Sequence, residues 1–253
     1  MASSQEKGVL NFIAECSKMN FTVSGFGSSY NPPDRLKLTN LQDTLAKATQ
    51  LLSELNVAIS ANKNAISVRA AAYEALPSRI TRVVNFFSIT NADNTLKANV
   101  KSVAAKFRSS SKKSKDSKQD TTVVAVENAG VNETAETAKT AKTRSNAQTG
   151  FDNKLGHLRL TIALVETEPT YSPAETDLTV ASLHNFASEL EQCNLMVAET
   201  QSRLNALRKQ RDELIYGKTN SLLSLGHDVK KYVRAAYGNN SNEAMAINAI
   251  RLG

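Results

Sequence analysis

The chain offers few side chains whose types and spacing could carry out chemistry. Its three histidines, His157, His184 and His227, are not spaced with a second ligand as on a zinc-binding helix, and none lies next to a cysteine. A nucleophile pair of Cys193 with His157 or His184 is an alternative, because folding brings such groups together without sequence proximity. Cys193 lies on an apolar stripe, which favours packing. We therefore expect the histidines to be structural.

A second candidate is Gly25-Phe26-Gly27, which resembles the start of a phosphate-binding loop. A dinucleotide fingerprint also needs a preceding strand and a helix that opens at a third glycine. Residues 28–33 have loop chemistry instead, so we interpret this segment as a connector. The glutamates between Glu189 and Glu213 are scattered over a helix, as on solvated faces. We predict no catalytic, cofactor-binding or metal-binding residues, no cofactor and no enzymatic activity.

The element that dominates the sequence is a long apolar stripe over residues 38–76. Positions alternate by three and four, which indicates one helix of roughly 58 Å that packs as in a coiled coil. Pro77 is expected to end or bend it. The stripe consists of Leu38, Leu41, Leu45, Ala48, Leu52, Leu55, Ile59, Asn62, Ile66, Arg69, Tyr73 and Leu76.

A second stripe over residues 183–214 repeats the pattern, and Gly217 is its expected stop. Tyr30-Asn31-Pro32 precedes the first helix and Tyr171-Ser172-Pro173 precedes the second. A shift of about 142 positions superposes the two stripes. Shorter amphipathic segments match in the same order, which predicts an internal duplication. They are residues 8–21, 78–89 and 94–107 in the first half, and residues 151–166, 221–237 and 241–252 in the second, with Asn94 and Ser241 as candidate helix caps.

Two arginines occupy equivalent places in the stripes. Arg69 and Arg211 lie where an apolar side chain would be expected, and a buried arginine is costly unless its head reaches water or a carboxylate. One interpretation is that both reach solvent at the edge of the stripe. The alternative is an ion pair that fixes the register in both halves.

Between the halves runs a polar, lysine-rich segment over residues 109–149. Its composition could bury little apolar surface, so we predict a flexible, disordered linker. It contributes to the formal net charge of +7. With the basic residues of 228–237 it could contact nucleic acid or an anionic membrane surface, although a solvated helix face is the simpler interpretation. The predicted units are residues 1–108 and 150–253. They form either one pseudo-symmetric bundle, which we favour because each unit alone is small, or two bundles joined by the linker.

The N-terminus, the apolar runs and the cysteines indicate the cellular compartment of the protein. The N-terminus lacks a basic region followed by an apolar one, and no run approaches 18 apolar residues, so we expect neither a secretory signal nor a membrane span. Cys16 and Cys193 are isolated, which favours reduced thiols. We expect a cytoplasmic protein.

Several short motifs of the second half carry a family resemblance. They are Tyr171-x-Pro173-x-Glu175 with Leu178-Thr179, then Leu214-Ile215-Tyr216, then residues 228–233 and Tyr237-Gly238. In these motifs the chain resembles uncharacterised duplicated helical-bundle proteins of the Bacteroidetes type, over nearly its whole length. The resemblance supports the duplicated helical architecture and implies no activity. After Gly238 the chain departs from that pattern, with Asn239-Asn240-Ser241-Asn242 in place of a more compact connection.

The fold class that follows is all-α. We predict an elongated helical bundle with long coiled-coil-like helices, in which two related halves are joined by a disordered linker. For function we predict a non-enzymatic scaffold or protein-interaction protein that binds a protein partner or itself, with no small-molecule substrate. The alternatives are a membrane-active protein similar to α-helical pore-formers, and a nucleic-acid-associated protein acting through the basic linker.

Overall fold

The computed structural model describes residues 4–107 and 150–252, and all regular secondary structure in this part of the chain is helical, with no strand. The predicted all-α class is confirmed. The predicted linker, residues 109–149, lies outside the described residues. The α-helices in chain order are α1 (Ser4–Ser24), α2 (Leu38–Glu74), α3 (Leu76–Ser88), α4 (Asn94–Ala105), α5 (Phe151–Glu166), α6 (Val180–Tyr216), α7 (Leu222–Tyr237) and α8 (Asn242–Asn248).

The two long helices are equal in length. Both α2 and α6 contain 37 residues, and both ends of α6 lie 142 positions after the ends of α2. Helix α6 stops directly before Gly217, as predicted. Helix α2 ends at Glu74, and α3 begins at Leu76 with Pro77 in its first turn. Proline fits there because the first backbone N–H groups of a helix need no intrahelical partner.

Polar side chains cap the N-termini of α4 and α8. The hydroxyl of Ser241 accepts a hydrogen bond from the Ala244 N–H at 3.0 Å, so the predicted cap of α8 is confirmed. The predicted cap at Asn94 is wrong by one residue. Asp93 caps α4 instead, and its carboxylate accepts from the Thr95 N–H at 2.9 Å. An ionised carboxylate at this place also interacts favourably with the helix dipole.

The chain forms two compact units that do not coincide with the predicted sequence halves. The first unit contains Met1–Ala70 and Leu195–Gly253, and the second contains Ala71–Asn194. Each unit therefore combines segments from both predicted halves, 1–108 and 150–253. The single pseudo-symmetric bundle stays a prediction.

In the first unit, α1 packs against α7 and α8. The same-face spacing of Val9, Phe12 and Cys16 places one side of α1 in the core, where it meets buried leucines of both long helices. A second cluster in this unit joins the end of α1 to the last helices; it contains Met19, Val23, Val229, Val233, Ala244, Ile247 and Ile250.

In the second unit, α4 packs against both α3 and α5. Leu76, Ile80, Val83 and Phe87 follow the helical period on α3 and are all buried. The buried residues of α5 and the first part of α6 complete this core; they are Leu155, Leu158, Ile162, Val165, Leu183, Phe186, Ala187 and Leu190.

Each long helix is preceded by a similar turn, closed by a tyrosine. The hydroxyl of Tyr30 donates to the Leu36 carbonyl at 2.9 Å, and that of Tyr171 donates to the Leu178 carbonyl at 2.8 Å. We call residues 30–36 and 171–178 the first and second tyrosine turns. Each ends in a three-residue 3₁₀ helix, Asp34–Leu36 or Thr176–Leu178. The repeated Tyr-x-Pro motif thus marks a repeated structure.

Candidate interaction surface

The glycine segment after α1 is a connector, as predicted. The Gly25 N–H donates to the carbonyls of Phe21 and Thr22, both at 3.2 Å, so it closes the end of α1 and does not point toward a ligand. Gly27 has a φ of +59°, which glycine adopts without strain. Phe26 lies between them and packs its ring 5.6 Å from that of Tyr237.

The histidines lie apart and have different surroundings. His157 on α5 is buried, and its ring lies 5.9 Å from Phe107 in an edge-to-face arrangement. Burial lowers the pKa of His157, and the nearby Lys106 lowers it further. His184 lies 3.5 Å from the Glu166 carboxylate on the surface, and His227 is exposed on α7. Residues 4–107 and 150–252 contain no group of three side chains that could hold a metal ion.

Neither cysteine is bonded to a second sulfur. Cys16 is buried in the first unit, and burial raises the pKa of its thiol to about 12. Cys193 on α6 is half-buried. Within the described residues, the structure places Glu166 beside His184 and Phe107 beside His157, and it does not join either histidine to Cys193 by a hydrogen bond.

The two arginines of the apolar stripes differ in burial. Arg211 is buried, and its guanidinium donates to the carboxylate of the adjacent Asp212 through Nε at 2.9 Å and Nη2 at 2.7 Å. A pair of neighbours on one helix cannot fix the register between helices. Arg69 is only half-buried. The hypothesis of one ion pair repeated at both positions is therefore wrong for Arg211, whose charge is satisfied locally.

The basic residues of α7 have partners within the protein. The Lys230 ammonium donates to the carbonyl of Ile250, and Lys231 lies 3.3 Å from the carboxylate of Asp228. The Nε of Arg234 donates to the Lys230 carbonyl at 3.2 Å. The predicted basic face is thus interrupted by an acid and engaged in local contacts.

We call the apolar stripe of α2, described above over residues 38–76, the inner stripe. Asn62 interrupts it with a buried polar contact. Its amide nitrogen donates to the Gln201 side-chain oxygen at 3.1 Å, and its oxygen accepts from the Thr200 hydroxyl at the same distance. Both partners belong to α6. A buried polar group at one position of an apolar seam specifies how two helices align, at some cost in stability.

A second stripe on α2 lies opposite the inner one and faces solvent. Val57, Ala61, Asn64 and Val68 follow at intervals of four, three and four residues, and all four are exposed. We call these four residues the outer stripe. The exposed fractions of Val57 and Val68 are 66% and 43%. Because successive residues are about 100° apart around a helix, the four side chains share one face.

The outer stripe carries no charge. Lys63 and Arg69 are the only charged residues between Glu54 and Glu74. Both lie more than about 100° around the helix from the centre of the outer stripe. Surface helices of soluble proteins usually present charged residues on the face away from the core, and depletion of charge is typical of the centre of an interface.

The spacing of the outer stripe is visible in the sequence of α2, but the stripe was not predicted, because the leucine-rich inner stripe dominates the same segment.

None of the helices in the described ranges is both long and apolar enough to cross a membrane. Comparisons of the chain with protein-family models, with curated proteins and with solved structures find no match.

Proposed function

We propose that this chain is a non-enzymatic helical scaffold that acts through protein–protein contact, and that the outer stripe is its contact surface. The observation that carries the proposal is the uncharged, exposed 4–3–4 spacing of Val57, Ala61, Asn64 and Val68. This spacing presents an uncharged ridge of two valines, an alanine and an asparagine to a second helix, as in coiled-coil packing.

A second copy of the chain fits this surface. If two α2 helices cross antiparallel about a two-fold axis between Ala61 and Asn64, Val57 lies opposite Val68 of the second copy, and Ala61 lies opposite Asn64. The outer stripe is therefore complementary to itself, as a two-fold symmetric contact requires. The small side chain of Ala61 near the axis lets the helices approach closely.

The contact would be weak. Four residues on each helix bury far less surface than the roughly 1,200 Å² of a stable interface. We therefore expect a dissociation constant on the order of micromolar or weaker. We place this activity in the cytoplasm, in keeping with the two unpaired cysteines.

Sedimentation velocity over a range of protein concentrations tests this proposal. The intact chain should dimerise reversibly, and Val57→Lys together with Val68→Lys should weaken dimerisation at least about tenfold, because each lysine would have to lose hydration against an apolar partner. The control is Ile89→Lys, at a residue that is 77% exposed at the end of α3. A chain that stays monomeric at every concentration, or a control variant that is equally impaired, would overturn the proposal.

A further inference from the structure

Each tyrosine turn is joined to a helix by an ion pair. In the first unit, Arg35 pairs with Asp228 on α7. In the second unit, the guanidinium of Arg82 on α3 donates two hydrogen bonds to the Asp177 carboxylate, at 2.5 and 3.1 Å. The hydrogen bond from Arg82 is the main cause that holds the pKa of Asp177 below its usual range. All four side chains are partly exposed.

The two ion pairs occupy equivalent positions. Arg35 and Asp177 are the middle residues of the 3₁₀ helices that end the two tyrosine turns. Each helix partner lies four residues, about one turn, before the aromatic ring that meets the tyrosine: Asp228 before Tyr232, and Arg82 before Phe86.

The rings themselves confirm this equivalence. Tyr30 and Tyr232 have ring centroids 5.4 Å apart with an interplanar angle of 89°, and Tyr171 and Phe86 have centroids 5.3 Å apart with the same angle. The geometry is therefore repeated, while the charges are exchanged. The turn carries the cation in one unit and the anion in the other.

In these two ion pairs, both cations come from one sequence half and both anions come from the other. Arg35 and Arg82 belong to the first half, whereas Asp177 and Asp228 belong to the second. If two first halves met at this contact, arginine would face arginine, and if two second halves met, aspartate would face aspartate. Only a turn from one half and a helix from the other bring opposite charges together, and both units of the structure are built in this way.

We propose that the exchanged ion pairs are a pairing code. Each tyrosine turn attracts the helix that comes from the other sequence half. It repels the corresponding helix of its own half in another copy. Charge patterns select partners in this way wherever two related surfaces could otherwise pair with themselves. The code would keep copies of a duplicated chain from assembling through like halves.

The expected effect is modest per contact. One exposed ion pair shifts an equilibrium by about 1.5- to 5-fold. An assembly of two chains through like halves would contain four such contacts, two between arginines and two between aspartates. Together they should disfavour that assembly on the order of tenfold relative to a chain in which every combination is attractive.

The test refolds full-length variants at high protein concentration and measures the fraction of oligomers that persists on dilution. All proteins carry Val57→Lys and Val68→Lys, so that any association through the outer stripe is weakened equally in each of them. Arg82→Asp with Asp177→Arg reverses one pair and makes every combination of halves attractive. Arg35→Asp with Asp228→Arg does the same through the other pair. Reversing all four residues restores the code with opposite signs and is the matched control.

Either double reversal should raise the persistent oligomer fraction roughly tenfold over the parent, and the fourfold reversal should return it to the parent value. Added salt should raise the fraction in the parent, because it screens the repulsion. The inference is overturned if both double reversals refold with the parent's oligomer fraction. It is also overturned if the fourfold reversal forms as much oligomer as they do, since the effect would then come from local damage.

Discussion

Tyr171 donates its phenolic hydrogen to the carbonyl of Leu178, seven residues further along the chain, at 2.8 Å. Both residues are buried, so water does not compete for either group. The bond closes the second tyrosine turn directly before α6 begins at Val180. It therefore fixes the direction in which a 37-residue helix leaves the turn.

Removing this hydroxyl should destabilise the protein. Tyr171→Phe leaves the buried Leu178 carbonyl without its donor, and we expect the free energy of unfolding to fall by about 1–2 kcal/mol. The measurement is urea denaturation followed by circular dichroism. Tyr216→Phe is the control, because Tyr216 is 48% exposed, and its effect should stay within about 0.5 kcal/mol. An equal effect in both variants would contradict this account of the turn.

The tyrosine turns also predict behaviour at alkaline pH. Burial raises the pKa of both Tyr30 and Tyr171 to about 12. Because the folded-state pKa lies above the unfolded value of about 10, the stability that these phenols contribute is complete below pH 10 and is lost as pH rises toward 12. Ultraviolet titration of the phenolates should show that Tyr30 and Tyr171 ionise near pH 12. Tyr30→Phe and Tyr171→Phe should each remove one of them, and a titration unchanged by both would contradict the prediction.

The two thiols should differ in reactivity. Cys16 is 1% exposed and its pKa is raised to about 12 by burial, so it forms almost no thiolate at neutral pH. Cys193 is half-buried and within reach of a reagent. In the native state a maleimide should label Cys193 first, and Cys16 only when the protein unfolds. Peptide mass spectrometry after timed labelling checks the order, and rapid native labelling of Cys16 would show that α1 leaves its core.

Two helical glycines offer a matched pair of substitutions. Gly156 in α5 is exposed, and a methyl group there would meet nothing within 4 Å. Gly156→Ala should raise the free energy of unfolding by about 0.5–1 kcal/mol through helix propensity. At Gly226 in α7 the added carbon would lie 2.7 Å from the Leu252 side chain. Gly226→Ala should gain less or lose stability, because Leu252 must shift.

Thermal denaturation of both alanine variants beside the parent protein gives the comparison. A larger gain at Gly226 than at Gly156 would mean that Leu252 does not pack against α7 as described.

Helix positions were accessible from the sequence because their signals are local. The stripe over residues 38–76 and the stop at Gly217 depend on neighbours within a few positions. They describe both ends of α2 and the end of α6 to within two residues, whereas the second stripe starts three residues after α6 does. The start of α3 at Leu76 was missed because Pro77 can either end a helix or begin one. The choice depends on the packing of the residues that follow.

The contacts between distant segments were not accessible in this way. Arg82 and Asp177 are 95 positions apart, and nothing in the period of either segment indicates that they meet. The grouping of segments into compact units cannot be derived from the sequence for the same reason, since periodicity shows which face of a helix is buried but not which helix covers it. For the outer stripe, Val57 and Val68 could be recognised as exposed only once the neighbours of α2 were known.

Helices α2 and α6 each supply residues to both compact units. Unfolding of either unit therefore disrupts part of a helix whose hydrogen-bonded backbone continues into the other unit. A chain built in this way should melt as one cooperative system, and a proteolytic cut in α6 near Asn194 and Leu195, where that helix passes from one unit to the other, should weaken both cores at once.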